Sequence, residues 1–386
     1  MSVRWKHLNR CERFGPSFGI ADRSSITESV SNFWKVSELD RVPNPSALRL
    51  PAEWEEQSAV WFSWPWRETL WPDCLAQVQN CLIELYALCS EFQPVHVLCP
   101  KGDQARLNKA FQDRDLKQPV LLHDYASDDV WIRDYGPIFL RKGASVIASD
   151  WRFNAWGEKY PSFARDNGVP AWISSYLGIE HVSEEIVLEG GAIESNGSGL
   201  LATTSAVLQN KNRFKGEFPQ KIPSRSEWES QLESRLGVRS VLWFEHGLSG
   251  DDTDGHIDNL IRFAPGKRIL YAAESDRESP NFAPLKQLKE TLLAASDCLN
   301  GYTFTALALP DPIHHRGQLL AASYANFLVL NGAVIVPIFQ QLGDVNALKV
   351  ISECFPNRSI RPFDCSEIIR EGGGLHCLSL NQPVPT

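Results

Sequence analysis

Short apolar segments of strand length alternate with helical stretches along almost the whole chain, which confines it to a mixed α/β fold. The strand-like runs are Val95 to Leu98, Pro119 to Leu122, Ala144 to Ala148, Gly199 to Thr204, Ser240 to Phe244, Arg268 to Ala272, Phe327 to Leu330 and Ala333 to Ile338. Between the earliest of them and the start of order near Leu50, the residues Leu75, Val78, Leu82, Leu85, Leu88 and Phe92 recur at helical spacing. Ser226 with Glu229 reads as a capping box for a helix over Trp228 to Leu236 that Gly237 closes, and Asp344 reads as the cap of a helix from Val345 to Phe355. Asn196-Gly197 and Asn331-Gly332 predict hairpins, because both residue types tolerate the positive φ of a tight antiparallel turn. Such hairpins argue against a doubly wound, purely parallel sheet.

No Pro- or Gly-rich linker divides the ordered part, which predicts a single domain over 46–386. Residues 1–45, rich in Ser, Arg and Asn and without sustained periodicity, read as a loosely packed extension. The tryptophans Trp54, Trp61, Trp64, Trp66 and Trp71 read as core and rim rather than a cofactor box, and Cys81 and Cys89, on the apolar side of the first helix, read as core.

With 386 residues, 43% apolar and 22% charged, the chain has material for a sizeable core. Its net charge of -9 disfavours a nucleic-acid partner and weakly favours a cationic ligand. No apolar run approaches the roughly 18 residues that span a bilayer, and the first 30 residues lack the apolar core of a secretory signal, so a cytoplasmic protein without membrane contact is expected. Nine cysteines without a CxxC pair fit reduced thiols better than disulfides or structural zinc. A homo-oligomer is compatible with all of this.

Near the carboxy terminus, Gly372 to Cys377 place a cysteine behind three glycines, a leucine and a histidine, where bare backbone lets a thiol approach a substrate closely. Three upstream segments carry carboxylates: Trp131 to Pro137 with Asp134, Glu189-Gly190-Gly191, and Gly250 to Asn259 with His256 and Asp258. Each alone has a bland reading as a loop salt bridge or an acidic cap. The acidic run fails as a calcium loop, since Gly255 as turn glycine puts Gly250 first and Ile261 last, where a glutamate should stand. A transition metal on His256 and aspartates remains open, without an HExxH or a second histidine at ligand spacing to support it. If the stretch from Gly255 is extended, His256 and Asp258 face the same side; Asp134 is expected at a loop mouth, because Gly136-Pro137 is a turn signal.

Together the pieces suit one planar cation. Asp134 and Asp258 can each bind a guanidinium in forked geometry under the Cys377 thiol, and the cation would stabilise the thiolate. His256, held charged by Glu189, could protonate departing ammonia and then activate water, giving a covalent amidino-thioether and a ureido product with neither metal nor organic cofactor.

These motifs, with Pro51 to Glu55, Phe153 to Gly157 and Ser323 to Phe327, occur in an order that resembles the agmatine deiminase and bacterial peptidyl-arginine deiminase family. The resemblance covers Leu50 to the carboxy terminus and implies the pentein fold, a five-bladed α/β propeller of ββαβ-like units with pseudo-fivefold symmetry. It implies Cys377 as nucleophile, His256 as general acid/base, Glu189 as its partner, Asp134 and Asp258 as guanidinium-binding acids, Trp131 against the substrate stem, and Asn326 and Gly374 lining the site. The implied reaction turns agmatine into N-carbamoylputrescine and ammonia, a step of polyamine metabolism. Peptidyl or free arginine deimination, amidino transfer to an amine, a non-catalytic guanidino binder and zinc-dependent hydrolysis are the alternatives. Thr204 to Val207 and Asn212 to Lys215 depart from the family pattern after the Glu-Gly-Gly motif, which bears on recognition of the substrate's far end.

Overall fold

The computed structural model describes residues 47–215 and 221–385, all within one unit of the chain; the extension read over 1–45 lies outside the described residues. Each of the five larger sheets in this part follows one plan. A first strand pairs antiparallel with a second, the chain crosses over through a helix, and the next strand lies parallel to the second.

The first sheet joins the two ends of the described chain. Ser379–Pro383 pairs antiparallel with Gln57–Ser63; helix Leu75–Cys89 then leads to Val95–Cys99, and helix Lys101–Gln112 to Val120–Asp124. The second sheet holds Ile138–Lys142, Ser145–Arg152 and, after helix Val169–Leu177, Glu180–Val187, with Leu48–Arg49 on its edge. The third holds Ile193–Ser195, Leu200–Thr204 and, after helix Arg225–Leu236, Ser240–Phe244. The fourth runs Ile261–Ala264, Arg268–Ala273, helix Phe282–Ala294, Thr303–Ala308; the fifth runs Leu328–Leu330, Ala333–Ile338, helix Gly343–Cys354, Ser359–Asp364.

The crossover helices bury apolar stripes at helical spacing, such as Trp228, Leu232 and Leu236 or Leu285, Leu288 and Leu292. Truncating one of these leucines to alanine would cost roughly 2–5 kcal/mol. What matters for function is where each unit begins. Asp134 stands just ahead of the first strand of the second sheet, Glu189 ahead of the third, His256 and Asp258 ahead of the fourth, Asn326 ahead of the fifth and Cys377 ahead of the first.

Several local expectations shift. The capping box is formed by Ser224 and Glu227, two residues earlier than read, so the helix starts right behind Pro223 and Trp228 falls on its buried face. Asp344 lies inside its helix, and its carboxylate accepts from the backbone N–H of Phe339 and Gln341 in the preceding loop. Both Asn-Gly steps do connect antiparallel strands, but only Gly197 and Gly332 take positive φ, at 76° and 78°. Of the tryptophans, Trp61, Trp64 and Trp71 are buried and Trp54 and Trp66 pack at the rim; Cys89 is buried, and Cys81 is partly buried against the same core.

Candidate active site

The cysteine behind the glycines is buried and sits in a tight turn. Asn326 fixes that turn: its Oδ1 accepts from the backbone N–H of His376 at 2.9 Å, while its Nδ2 donates to Cys377 Sγ at 3.1 Å and to Asn259 Oδ1 at 3.0 Å. Two of the three glycines are required by crowding, and Gly372 by its φ of 92°. A Cβ on Gly373 would enter the ring of Trp131, and one on Gly374 would collide with Asn326 Oδ1. Trp131 therefore packs closely against the backbone leading to the thiol, with its ring 6.0 Å from that of Trp71.

Two carboxylates and an imidazole complete the centre. Asp134 Oδ1 accepts from Gly191 N–H at 3.0 Å and lies 3.5 Å from His256 Nδ1, and its Oδ2 accepts from Trp156 Nε1 at 3.0 Å. Asp258 Oδ2 lies 3.5 Å from Cys377 Sγ. A Cβ on Gly191 would fall 2.6 Å from both Asp134 Oδ1 and His256 Nδ1 and 3.2 Å from Asp258 Oδ2, so this glycine lies where the three groups meet. Asp258 Oδ1, Glu189 Oε2 and both ring nitrogens of His256 are buried without a hydrogen-bond partner in the protein. Buried polar atoms are seldom left so, and their convergence marks a place where a ligand would supply the donors.

Electrostatics set these groups apart. Burial pushes the Asp134 carboxyl up to about 6, with His256 opposing and Asp258 and Glu189 adding. Burial also acts to raise Asp258, yet the hydrogen bond and charge of His376, with His256 and Arg262, hold it below the usual carboxylate range. The imidazole of His256 is depressed by burial, but Asp134, Glu189, Asp258 and Asp251 overcome this and raise it. Burial and the charges of Asp258 and Asp134 push the Cys377 thiol well up. Without a cation the site thus holds a protonated thiol beside anionic acids; a bound cation would lower the cost of the thiolate.

Behind the centre lies a second layer of charge. His376 is flanked by carboxylates, with Nδ1 2.7 Å from Asp258 Oδ2 and Nε2 2.7 Å from Glu53 Oε1. Glu53 in turn binds Arg133 at 3.0 Å and Arg262 at 2.5 Å, and Arg262 Nε stands 3.3 Å from Glu194. Glu53, Glu194 and His376 bring potential metal-ligand atoms within 4.8 Å of one another, but the two guanidinium groups already supply the positive charge there.

The structure gathers Asp134, Asp258, His256, Cys377, Asn326 and Gly374 at one centre, and sets Trp131 at its wall. Three local readings need correction. Asp134 stands in a short helix, Ile132–Tyr135, rather than a loop mouth. His256 and Asp258 do not face one side through an extended strand: a 3-10 turn over Ile257–Asn259 follows His256. Glu189 Oε1 is bound by Arg213 Nε at 2.7 Å, so Glu189 acts on His256 through its charge and not through a hydrogen bond. The acidic loop is closed on itself: Asp251 accepts from the backbone N–H of Thr253 and His256.

Other residues of the site escaped the sequence reading. Arg213 ties Glu189 to Asp254 and to the carbonyl oxygen of Trp156, so the departing segment at 212–215 braces the centre. Trp156 itself reaches Asp134 because Ala155, Trp156 and Glu158 adopt positive φ, a backbone that no residue type there announces. Glu53 and His376 lay within recognised motifs but carried no signal of their pairing.

The sequence pattern of the Porphyromonas-type peptidyl-arginine deiminases matches residues 49–383. An agmatine deiminase of Stutzerimonas stutzeri is 33% identical over 378 residues, spanning 91% of this chain and 99% of the relative. One of Medicago truncatula is 31% identical over 382 residues, 90% and 99% of the two chains. Among solved structures, a substrate-bound variant of the C. jejuni agmatine deiminase superposes with a TM-score of 0.79 at 31% identity, over 87% of this chain and 96% of the other. The agmatine deiminase of Enterococcus faecalis gives 0.80 at 26%, over 88% and 96%.

Proposed function

The chain belongs to the Porphyromonas-type peptidyl-arginine deiminase and agmatine deiminase family of guanidino-modifying enzymes, and on that premise we propose that it hydrolyses agmatine to N-carbamoylputrescine and ammonia. The observation that carries this reading is the set of unpartnered buried atoms on Asp258, Glu189 and His256 beside a buried thiol. Carboxylate oxygens can only accept, and a planar guanidinium offers five N–H donors around one electrophilic carbon.

Asp134 and Asp258 clamp the guanidinium, and the thiol proton passes to solvent as the cation arrives, to be regained by the sulfur when the product leaves. Cys377 Sγ bonds to the central carbon; His256 gives its proton to one nitrogen, the C–N bond breaks, and ammonia departs. His256 then takes a proton from water as its oxygen bonds to the carbon of the amidino-thioether. Collapse breaks the C–S bond, leaves the ureido carbonyl and returns the sulfur, the water's second proton passing to solvent, where the released ammonia takes up a proton as ammonium. Trp131 covers the substrate's aliphatic stem; Asn326 and Gly374 hold the turn of the nucleophile. The repeated strand–strand–helix–strand plan, with entry segments meeting at one centre, supports a five-bladed propeller with the site on its axis.

The enclosed thiol, 5% exposed, favours a small substrate over a protein side chain. Among the described residues no helix is long and apolar enough to cross a membrane, and we place the reaction in the cytoplasm and in polyamine metabolism. Colorimetric detection of ureido product from agmatine, free arginine and an arginyl peptide tests the assignment. Agmatine alone should react well; preferential turnover of the peptide would move the substrate, and no ureido product from any of them would overturn the reaction.

A further inference from the structure

One of the two clamp acids has a partner that the proposed chemistry does not use. Asp258 divides its oxygens: Oδ1 is buried and unpartnered, whereas Oδ2 lies 2.7 Å from His376 Nδ1. His376 is itself buried, 1% exposed, and cannot swing away, since its backbone N–H is held by Asn326 Oδ1 at 2.9 Å and its carbonyl accepts from Arg133 Nε at 3.3 Å. Its other nitrogen faces Glu53 Oε1 at 2.7 Å. Glu53 is fixed from two sides by Arg133 and Arg262, and Arg262 Nη1 is anchored on the carbonyl oxygens of Ala325 and Phe327 at 3.0 and 2.6 Å.

We propose that His376, oriented by Glu53, is a positioning residue that locks the rotamer of Asp258 and keeps it an anionic acceptor for the guanidinium. With hydrogen on both ring nitrogens, His376 donates to one carboxylate on each side. The bond to Oδ2 leaves Oδ1 free to accept from the substrate. The contrast with Asp134 is informative: that acid is equally buried and accepts from Gly191 N–H and Trp156 Nε1, but its cationic neighbour, His256 Nδ1, stands 3.5 Å away, against 2.7 Å from His376 Nδ1 to Asp258. The two carboxyls accordingly move in opposite directions, Asp134 upward and Asp258 downward. The division of labour is physical. One acid stays charged well into the acid range, and the other keeps its charge below about pH 6 only with the cation's help.

This inference rests on the deiminase reading, so its test has one arm that needs turnover and one that does not. In the first arm, kcat and KM for agmatine are measured against pH in wild type, His376→Leu and His376→Asn. Losing a charge-assisted bond to a buried carboxylate should raise KM about tenfold or more in the leucine variant. It should also steepen the acidic limb of kcat/KM, because Asp258, without the cation that holds its carboxyl down, adds a second protonation to that of Asp134. Asparagine, whose Nδ2 can replace ring Nδ1 as donor, should recover most of the KM loss. In the second arm, the Asp258 carboxyl is titrated by carbon-13 NMR in wild type and His376→Leu without substrate, circular dichroism verifying that both are folded. Its pKa should rise in the variant. A folded His376→Leu protein whose Asp258 titrates as in wild type would overturn the proposal, as would a fall in kcat with KM and the limb unmoved. If wild type releases no ammonia from any guanidino compound, the deiminase reading fails, and the titration alone decides for or against the positioning role.

Discussion

At the scale of single residues, the site works by pushing apart the charge states of groups that a sequence shows only as acids, a histidine and a thiol. Asp134, lifted to about 6 by burial, is ionised above that pH and protonated below it. As the pH falls through about 6 the clamp should lose a charge, so KM for agmatine should rise on the acid side before kcat does. Asp134→Asn should raise KM roughly tenfold to a hundredfold at neutral pH and flatten that dependence; an unchanged KM profile in the variant would remove Asp134 from the clamp. Cys377, His256, Asp134 and Asp258 could be singled out in the sequence because their motifs are local, and the fold brings them to one centre. Their partners were not. Arg213 reaches Glu189, and Glu53 reaches His376 across 323 positions, through contacts that only the fold creates.

At the scale of elements, the turns that enter the strands do the positioning. Gly191, in the 3-10 turn Gly190–Ala192, has no side chain to intrude between Asp134, His256 and Asp258. Gly191→Ala should fold, as judged by circular dichroism, yet lose about a hundredfold or more in kcat/KM, since a displacement near 1 Å suffices for such a loss. Near-normal activity would mean the three groups do not form a working unit. Secondary-structure type was readable from periodicity, whereas boundaries slipped where two signals competed. Ser224 with Glu227 and Ser226 with Glu229 both satisfy the capping pattern, and only the packing of Trp228 under the Leu208 carbonyl selects the first. The Trp156 turn is the opposite case: its three non-glycine positive φ values are held by Arg213 and Asn154 bonds that no local pattern encodes.

At the scale of the whole molecule, five units of one topology bring their entry segments together, and buried charge pairs hold that meeting place. Arg262, 1% exposed, links Glu53 from the first unit's approach to Glu194 in the third sheet. Arg262→Met should therefore leave the buried Glu194 uncompensated, Glu53 keeping Arg133, and cost about 3–5 kcal/mol, read as a lower urea midpoint. An unchanged midpoint would show the pairing to be dispensable. The repeat could be sensed from the hairpin rhythm, but not its closure, because the strand that completes the first sheet, Ser379–Pro383, comes from the far end of the chain. That closing strand also follows closely on Cys377, the proposed nucleophile. The central claim, that the thiol and distant acids act on one guanidinium carbon, is met most directly by acid-quenching the protein during turnover of agmatine and weighing it intact, with peptide mapping. The account predicts an amidino adduct on Cys377 that is missing from Cys377→Ser; ammonia release at the wild-type rate by that serine variant would contradict it.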